Sequence, residues 1–162
     1  MQDGSIFFDV TCIDFYATIG FYSSVALNSL YNVFFFDRDG RFFVQALDIR
    51  VDCYLAVLKR FKLQFPSAWF EIVTRSFNSP LSPSWTLLEK YKSGLIDFQQ
   101  FLGLLGSELA ARPASLQRVD ELARMSGTLF LVCYEKDASK CHRTFIKGMV
   151  ETKRRKIEEE TA

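Results

Sequence analysis

The residues with the most chemistry to offer lie near the end of the chain, in residues 128–150, TLFLVCYEKDASKCHRTFIKGMV. This stretch holds two of the four cysteines, Cys133 and Cys141, and the only histidine, His142. An arginine, Arg143, follows directly. An apolar run, a short polar loop and then helix-forming residues predict a buried strand, a loop and a helix. We expect the functional site here.

The position of these residues predicts which chemistry they would carry. In open α/β sheets, ligands bind beyond the carboxyl ends of the strands. Cys133 and Glu135 follow the predicted strand, and Cys141, His142 and Arg143 would occupy the first turn of the next helix. Such a turn attracts anions and lowers the pKa of a thiol, and a guanidinium matches phosphate or carboxylate. Cys141 is therefore a candidate nucleophile, with Glu135 or His142 handling protons.

Several known mechanisms are excluded by spacing. Neither Cys133 nor Cys141 has an arginine six residues on, so the cysteine-phosphatase loop is absent, and the glycine-rich phosphate-binding motifs are missing as well. Zinc could recruit Cys133, Cys141 and His142, but their spacing matches no usual structural zinc pattern. We expect no metal and no cofactor, and a Cys133–Cys141 disulfide has equally little support. The structural alternative places Cys133 in the core and makes the Cys-His-Arg run an ordinary helical turn.

Composition predicts one soluble domain. The chain has 162 residues, of which 49% are hydrophobic and 17 are Phe, enough for a core built on aromatic packing. With 20 basic and 19 acidic residues it lacks the broad positive field that coats nucleic acid. The first residues, MQDGSIFFDV, do not read as a signal peptide, and polar residues interrupt the apolar window 13–36. We expect a cytoplasmic protein with reduced thiols and no membrane partner.

Strands that alternate with helices predict an α/β fold. We expect a single three-layer-like domain over 1–162, with a mixed, partly parallel sheet flanked by helices, plus a β-hairpin. Residues 1–8 and 155–162 would be tails. The predicted elements begin with a strand over 13–19, a hairpin over 32–48, an amphipathic helix over 50–62 with Cys53 on its apolar face, and a strand over 69–74. Next come a helix that starts after Ser82 or Ser84 and is stopped by Gly94, a helix capped by Asp97, and a helix over 115–126 with Leu116, Val119, Leu122 and Ala123 on one side. The last two elements are the strand and the helix of 128–150.

Two regions of the chain resemble the domain of unknown function family numbered 488. In VCYEKDASKCHRTF, a strand ends in Cys-x-Glu, and Cys-His-Arg opens a helix after a polar loop. In EIVTRSFNSPLSPSWTLLEKYKSGLIDFQQF, a strand ends in an arginine, a Pro-Ser pair precedes a helix, and Tyr-Lys-x-Gly follows. The two regions cover about half the chain. The matching residues are Cys133, Glu135, Cys141, His142 and Arg143 in the first region, and Arg75, Pro83, Ser84, Tyr91, Lys92 and Gly94 in the second.

The resemblance implies an α/β fold and a shared polar site, and it implies no particular reaction. The N-terminal half departs from the family pattern, in which a glycine-rich start leads to an Asp-x-Arg strand. Asp48 and Arg50 of LDIRVD are one candidate for that strand, and Thr74 with Arg75 is the other.

Three functions are compatible with these residues. In the first, the protein is an enzyme whose cations hold a phosphate-bearing substrate such as a nucleotide or a nucleic-acid component. In the second, ranked almost level, the same site binds an anion or a nucleic-acid end without catalysis. In the third, it is an interaction protein with a degenerate site. The predicted catalytic residues are Cys141, His142 and Glu135, and the predicted binding residues are Arg143, Arg75, Lys92, Cys133 and Ser84.

Overall fold

A computed structural model describes residues 46–161 and the backbone of two short strands before them. Those two, β1 (Phe35–Phe36) and β2 (Phe42–Phe43), pair antiparallel. Three further strands, β3 (Leu47–Arg50), β4 (Trp69–Ile72) and β5 (Gly127–Val132), form a parallel sheet in the order β3-β5-β4. The strand predicted over 13–19 and the turn predicted within 32–48 lie outside the described residues, and the single-domain assignment of 1–162 stays a prediction.

Five helices accompany the sheet in the described part of the chain. None of them is both long enough and apolar enough to cross a membrane. Single 3-10 turns at Leu55–Val57, Arg75–Phe77 and Ala138–Lys140 lie in the loops that follow the strands. The helices are α1 (Leu58–Gln64), α2 (Trp85–Lys92), α3 (Phe98–Ala110), α4 (Pro113–Ala123) and α5 (Arg143–Thr161).

The central strand β5 is buried on both faces because its side chains alternate between two helical layers. Leu129 and Leu131 pack into a core that includes side chains of α4 and α5. Phe130 and Val132 point to the opposite face, where Phe130 stacks on Phe70 with ring centroids 5.0 Å apart, and side chains of α1 cover them. Helices therefore lie on both faces of a parallel sheet, which confirms the predicted α/β fold.

The predicted ends of α2 and α3 are confirmed by their caps. Ser84 accepts a hydrogen bond from the backbone N–H of Leu87 at 3.1 Å, and Asp97 with Gln100 forms a reciprocal capping box. Gly94 follows α2 with a φ of +75°, a conformation that glycine adopts without steric cost. These local signals fix the segment that leads away from β4 and back towards β5.

Two helix predictions were wrong in detail. The helix predicted over 50–62 begins only at Leu58, because Arg50 ends β3 and the backbone stays extended to Tyr54, which bridges to Cys133. Cys53 is buried as predicted, but in this loop. In α4, Val119, Leu122 and Ala123 are buried as predicted, but Leu116 is 49% exposed, and Ser115 is buried instead and donates to the Pro80 carbonyl at 2.6 Å. Ser115 therefore packs against the loop at Pro80, a contact that hydropathy alone does not predict.

Candidate functional site

The site lies at the carboxyl edge of the parallel sheet, meaning the ends of β3, β4 and β5 and the loops 51–54, 73–77 and 133–142. Pairing continues past the strand ends, since Val73 donates its N–H to the Val132 carbonyl at 2.9 Å and Tyr54 bridges to Cys133. All three loops therefore start from one rigid edge, where ligands bind in open α/β sheets.

Cys133, Cys141 and His142 form a compact group here, which we call the cysteine–histidine cluster. Their sulfur and ring nitrogen atoms all lie within 4.8 Å of one another, and Cys141 Sγ is 3.9 Å from His142 Nδ1. The three side chains are only 4%, 3% and 8% exposed, respectively. The structure thus brings together three of the residues predicted from the sequence, although nine positions separate the first from the last.

The orientation of the imidazole is fixed by the neighbouring strand. His142 Nε2 lies 2.8 Å from the Val73 carbonyl oxygen, so Nε2 carries the proton and donates it. Nδ1 is left as the unprotonated nitrogen, on the side of Cys141. Burial lowers the pKa of His142, although the hydrogen bond to Val73 raises it, and the positive charge of Arg143 lowers it further. The ring is therefore neutral at pH 7 and offers a lone pair to the cluster.

The thiols of Cys133 and Cys141 have pKa values that are shifted in opposite directions. A hydrogen bond from Cys141, helped by the backbone N–H groups of Glu135 and Tyr134, lowers the pKa of Cys133 to about 7 in spite of burial. The same interaction with Cys133 and burial raise the pKa of Cys141. Cys133 is therefore the more acidic thiol of the pair.

This distribution corrects the expectation for Cys141. The sequence placed Cys141 and His142 in the first helical turn, where the dipole lowers a thiol pKa. In the structure α5 begins at Arg143, and the backbone of Cys141 is extended with φ −127° and ψ 140°. Cys141 is thus outside the helix, and its pKa is raised. The nucleophilic role of Cys141 stays a prediction, but Cys133 is the more acidic thiol.

Arg143 holds the loop that carries Glu135. Its side chain is fully buried, and it donates from Nη1 to the Glu135 carbonyl at 2.6 Å and from Nη2 to the Lys136 carbonyl at 3.0 Å. No acceptor for its Nε is present among the described residues. A buried donor of this kind costs about 1–3 kcal/mol unless a water or a ligand accepts it. The guanidinium therefore holds the loop that joins Cys133 to Cys141.

Arg75 lies at the start of the 3-10 turn that follows β4. Its side chain is half-buried and makes no ion pair or hydrogen bond within the described part of the chain. Val73, two residues earlier, accepts the hydrogen bond from His142, so the turn starts beside the cluster. Arg75 is consequently a cation at the carboxyl edge with its donors unused.

Two hydroxyl-bearing residues of this edge were missed as site residues. Ser76 Oγ and the Tyr134 hydroxyl are 2.6 Å apart, which joins the loops after β4 and β5, and Thr74 Oγ1 lies 3.2 Å from Ser76 Oγ. The signal that could have identified them is positional, because each lies within two residues of the end of a predicted strand.

The remaining predicted residues differ in their surroundings. Glu135 is exposed next to Cys133, so its carboxylate faces solvent at the carboxyl edge. Ser84 caps α2, and its hydroxyl donates to Glu108. Lys92 is exposed in the last turn of α2. The described contacts join neither Ser84 nor Lys92 to the cysteine–histidine cluster, and their binding roles stay predictions.

Comparison with known proteins identifies one family. The sequence profile of the Active DUF488-N3 subclade matches residues 63–154, more than half of the chain, and this segment contains β4, β5, Arg75 and the cysteine–histidine cluster. No curated protein and no solved structure matches the chain. Asp48 and Arg50 lie on β3, ahead of the matched segment, whereas Arg75 lies in the 3-10 turn that follows β4. The chain is a member of the DUF488 family, with the family's Cys-x-Glu and Cys-His-Arg residues gathered at the carboxyl edge of its sheet.

Proposed function

We propose that the protein is an enzyme that acts on a phosphate-bearing substrate, such as a nucleotide or a nucleic-acid component, at the carboxyl edge of the sheet. One observation carries the proposal: Arg75, a cation without a partner in the described chain, lies in the loop 73–77, and Val73 of the same loop accepts the hydrogen bond from His142 of the buried cysteine–histidine cluster. An anion-binding group and a group of reactive side chains therefore share one edge.

Arg75 has no partner among the described residues, as is also true of the exposed Arg60 and Arg155, but Arg75 alone of these three is half-buried, in the turn that follows β4. Other surface arginines are paired. Arg118 is paired with Glu71 at 2.6 Å, Arg124 with Asp120 at 2.8 Å, and Arg112 approaches Glu108. In those pairs a carboxylate satisfies the guanidinium. Arg75 keeps its planar donor set available, and that set matches two oxygens of a phosphate.

Exposed aromatic rings beside Arg75 favour a substrate with a base. Phe77, on the same turn, is 56% exposed, and Tyr134, which is joined to that turn through Ser76, is 58% exposed. Large apolar rings are usually buried, and stacking of a base on such a ring contributes about 1–3 kcal/mol. A nucleotide would use the arginine for its phosphate and one of these rings for its base.

The reactive residues would have separate roles. His142 has a lowered pKa and donates from Nε2 to Val73, so it is suited to accepting an interaction at Nδ1 rather than to shuttling protons. Glu135 is the solvent-exposed carboxylate next to Cys133, and it is the better placed of the two for proton transfer. Cys133, whose pKa is lowered, is the more acidic thiol of the cluster.

The test measures binding of inorganic phosphate and of the four common nucleoside monophosphates by isothermal titration calorimetry. We expect Arg75→Ala to weaken nucleotide binding about 10- to 100-fold, as loss of a charge-assisted hydrogen bond does, and Arg75→Lys to weaken it less. Phe77→Ala should weaken nucleotide binding more than phosphate binding.

The matched control is Arg155→Ala, which removes an exposed arginine on α5. Equal nucleotide affinities for the Arg75 and Arg155 variants would contradict the assignment of Arg75. Turnover is then followed by phosphorus NMR of the bound nucleotide.

The second candidate function is binding without catalysis, and the small exposure of the cluster favours it. A buried reactive group reaches a substrate only where the substrate enters the edge of the sheet. If the nucleotide is recovered unchanged from the wild-type protein while Arg75→Ala loses affinity, the site is a binding module.

A further inference from the structure

We propose that Cys133 Sγ, Cys141 Sγ and His142 Nδ1 bind one zinc ion. Among the described residues these are the one group of three metal-ligating side chains whose donor atoms converge, and all three are buried. Two thiolates and one imidazole are the ligand types that zinc selects. In the sequence these three residues are possible zinc ligands whose spacing matches no usual zinc pattern, and it is the fold that brings their donor atoms together.

The distances are close to those of a tetrahedral zinc centre. Zn–S bonds of about 2.3 Å and Zn–N bonds of about 2.0–2.1 Å place sulfur and nitrogen roughly 3.6 Å apart, and two sulfurs roughly 3.8 Å apart. Cys141 Sγ and His142 Nδ1 are 3.9 Å apart, and no pair in the cluster exceeds 4.8 Å. Side-chain rotations that move the donor atoms by less than about 1 Å would bring all three to bonding distance of one zinc ion.

The surroundings of the ligands are those of a metal centre. A histidine that binds a metal donates its other N–H to a carbonyl or a carboxylate, which fixes the tautomer. His142 does so with the Val73 carbonyl at 2.8 Å, which leaves Nδ1 towards the sulfurs. Zn²⁺ with two thiolates and a neutral imidazole carries no net charge, so the centre is compatible with burial beside the guanidinium of Arg143.

Three protein ligands leave one position for another group. Structural zinc sites use four protein ligands, whereas catalytic sites use three and keep the fourth for water or substrate. Glu135, which is exposed, and Arg75, which is half-buried, lie at the same carboxyl edge of the sheet. A role for the ion in polarising a phosphate oxygen or activating water rests on the proposed function, but the binding of the ion does not.

The test is metal content of the full chain, purified without chelators or affinity metals, by mass spectrometry of the elements, followed by cobalt substitution. We expect about one zinc per chain, and the cobalt protein should show sulfur-to-cobalt charge-transfer absorption together with the visible bands of a tetrahedral ion. Cys133→Ser and His142→Gln should each lower zinc affinity at least about 100-fold, beyond the 10- to 100-fold effect of outer-shell changes.

The matched control is Cys53→Ser, which changes another fully buried cysteine that lies outside the cluster and should leave zinc affinity unchanged. The wild-type titration needs no variant: a chain that binds neither zinc nor cobalt tightly, or a cobalt protein without the charge-transfer band, overturns the proposal. Equal losses from the Cys53 and Cys133 variants would overturn it too.

Failure of the zinc site and failure of the proposed function can be told apart. If the wild-type protein holds zinc while Arg75→Ala binds nucleotides normally, only the proposed function fails. If nucleotide binding depends on Arg75 while the chain holds no zinc, only the zinc site fails.

Discussion

Two buried arginines at opposite ends of β5 perform the same structural task in different surroundings. Arg154 of α5 donates to the Ala123 and Met125 carbonyls, just before β5 begins, and also pairs with Glu158 at 2.9 Å. Arg143, at the start of α5, donates to the Glu135 and Lys136 carbonyls, just after β5 ends. One helix therefore fixes both loops of the central strand through its arginines.

The two ends differ in how their charges are satisfied. At the amino end, Asp120 pairs with Arg124 and with Lys153 at 3.0 Å, so positive and negative groups are matched. At the carboxyl end, Arg143 donates to two carbonyls, and its Nε has no acceptor among the described residues. Arg75 has no partner among those residues either. Matched charges stabilise a fold, whereas groups left available at the ends of parallel strands are what a ligand uses.

The largest effect should come from replacing the two arginines. Arg143→Met and Arg154→Met each remove two hydrogen bonds from a buried guanidinium to backbone carbonyls, and we expect each to lower the free energy of unfolding by about 2–4 kcal/mol. Only Arg143→Met should also weaken zinc binding, because only that change releases the loop between Cys133 and Cys141. Urea unfolding and zinc titration measure the two quantities.

Equal loss of zinc affinity in both variants would mean that the effect comes from general destabilisation. In that case the distinction between a stabilising amino end and a functional carboxyl end would fail.

An intermediate effect should appear on acidification of the zinc-free protein. The pKa of His142 is lowered from 6.5 by burial, so the unfolded chain binds more protons than the folded chain below that pH. Stability from this group is complete above about pH 6.5 and falls below it, by at most about 1.4 kcal/mol per pH unit. Since His142 is the only histidine, His142→Gln should remove most of the slope between pH 5 and 6.5 in urea unfolding.

The His142→Gln variant keeps an N–H that can donate to Val73, so it tests titration rather than loss of a hydrogen bond. An unchanged slope in that variant would show that the imidazole does not stay neutral in the fold.

The smallest effect belongs to the amino end. Hydrogen bonds from Arg124 and Lys153 lower the pKa of Asp120, so its contribution is present above the ordinary value of 3.8 and is lost as the pH falls below it. These partners are largely exposed, and Asp120→Asn should cost about 0.5 kcal/mol at pH 7 and less at high salt. Its zinc affinity should equal that of the wild type. A zinc loss in this variant would remove the contrast between the ends.

The sequence predicted the elements whose signals are local. The apolar run of β5, the caps Ser84 and Asp97, and the stop at Gly94 each need only neighbouring residues, and all are confirmed. The family resemblance also identified the residues of the cluster before any geometry was available. The helix predicted from residue 50 failed because Leu47–Arg50 is held as a strand by pairing with residues 127–130.

The chemistry of the site could not be read from spacing. The neutral state of His142 depends on the Val73 carbonyl, 69 positions away, and the lowered pKa of Cys133 depends on a thiol that the loop folds back. The predicted helix start at Cys141 was wrong by two positions, and the pKa of Cys141 is raised by its interaction with Cys133 and by burial, neither of which spacing reveals. That Arg75 has no partner among the described residues also depends on where the fold places the carboxylates.

If both proposals hold, the carboxyl edge of the sheet binds zinc and phosphate together. A crystal structure of the full chain grown with zinc and inorganic phosphate would locate both ligands, with data collected on both sides of the zinc absorption edge. We predict one anomalous peak between Cys133 Sγ, Cys141 Sγ and His142 Nδ1, and a phosphate within hydrogen-bond distance of Arg75. A chain in which zinc and phosphate bind away from this edge, or in which neither binds, would contradict the claim.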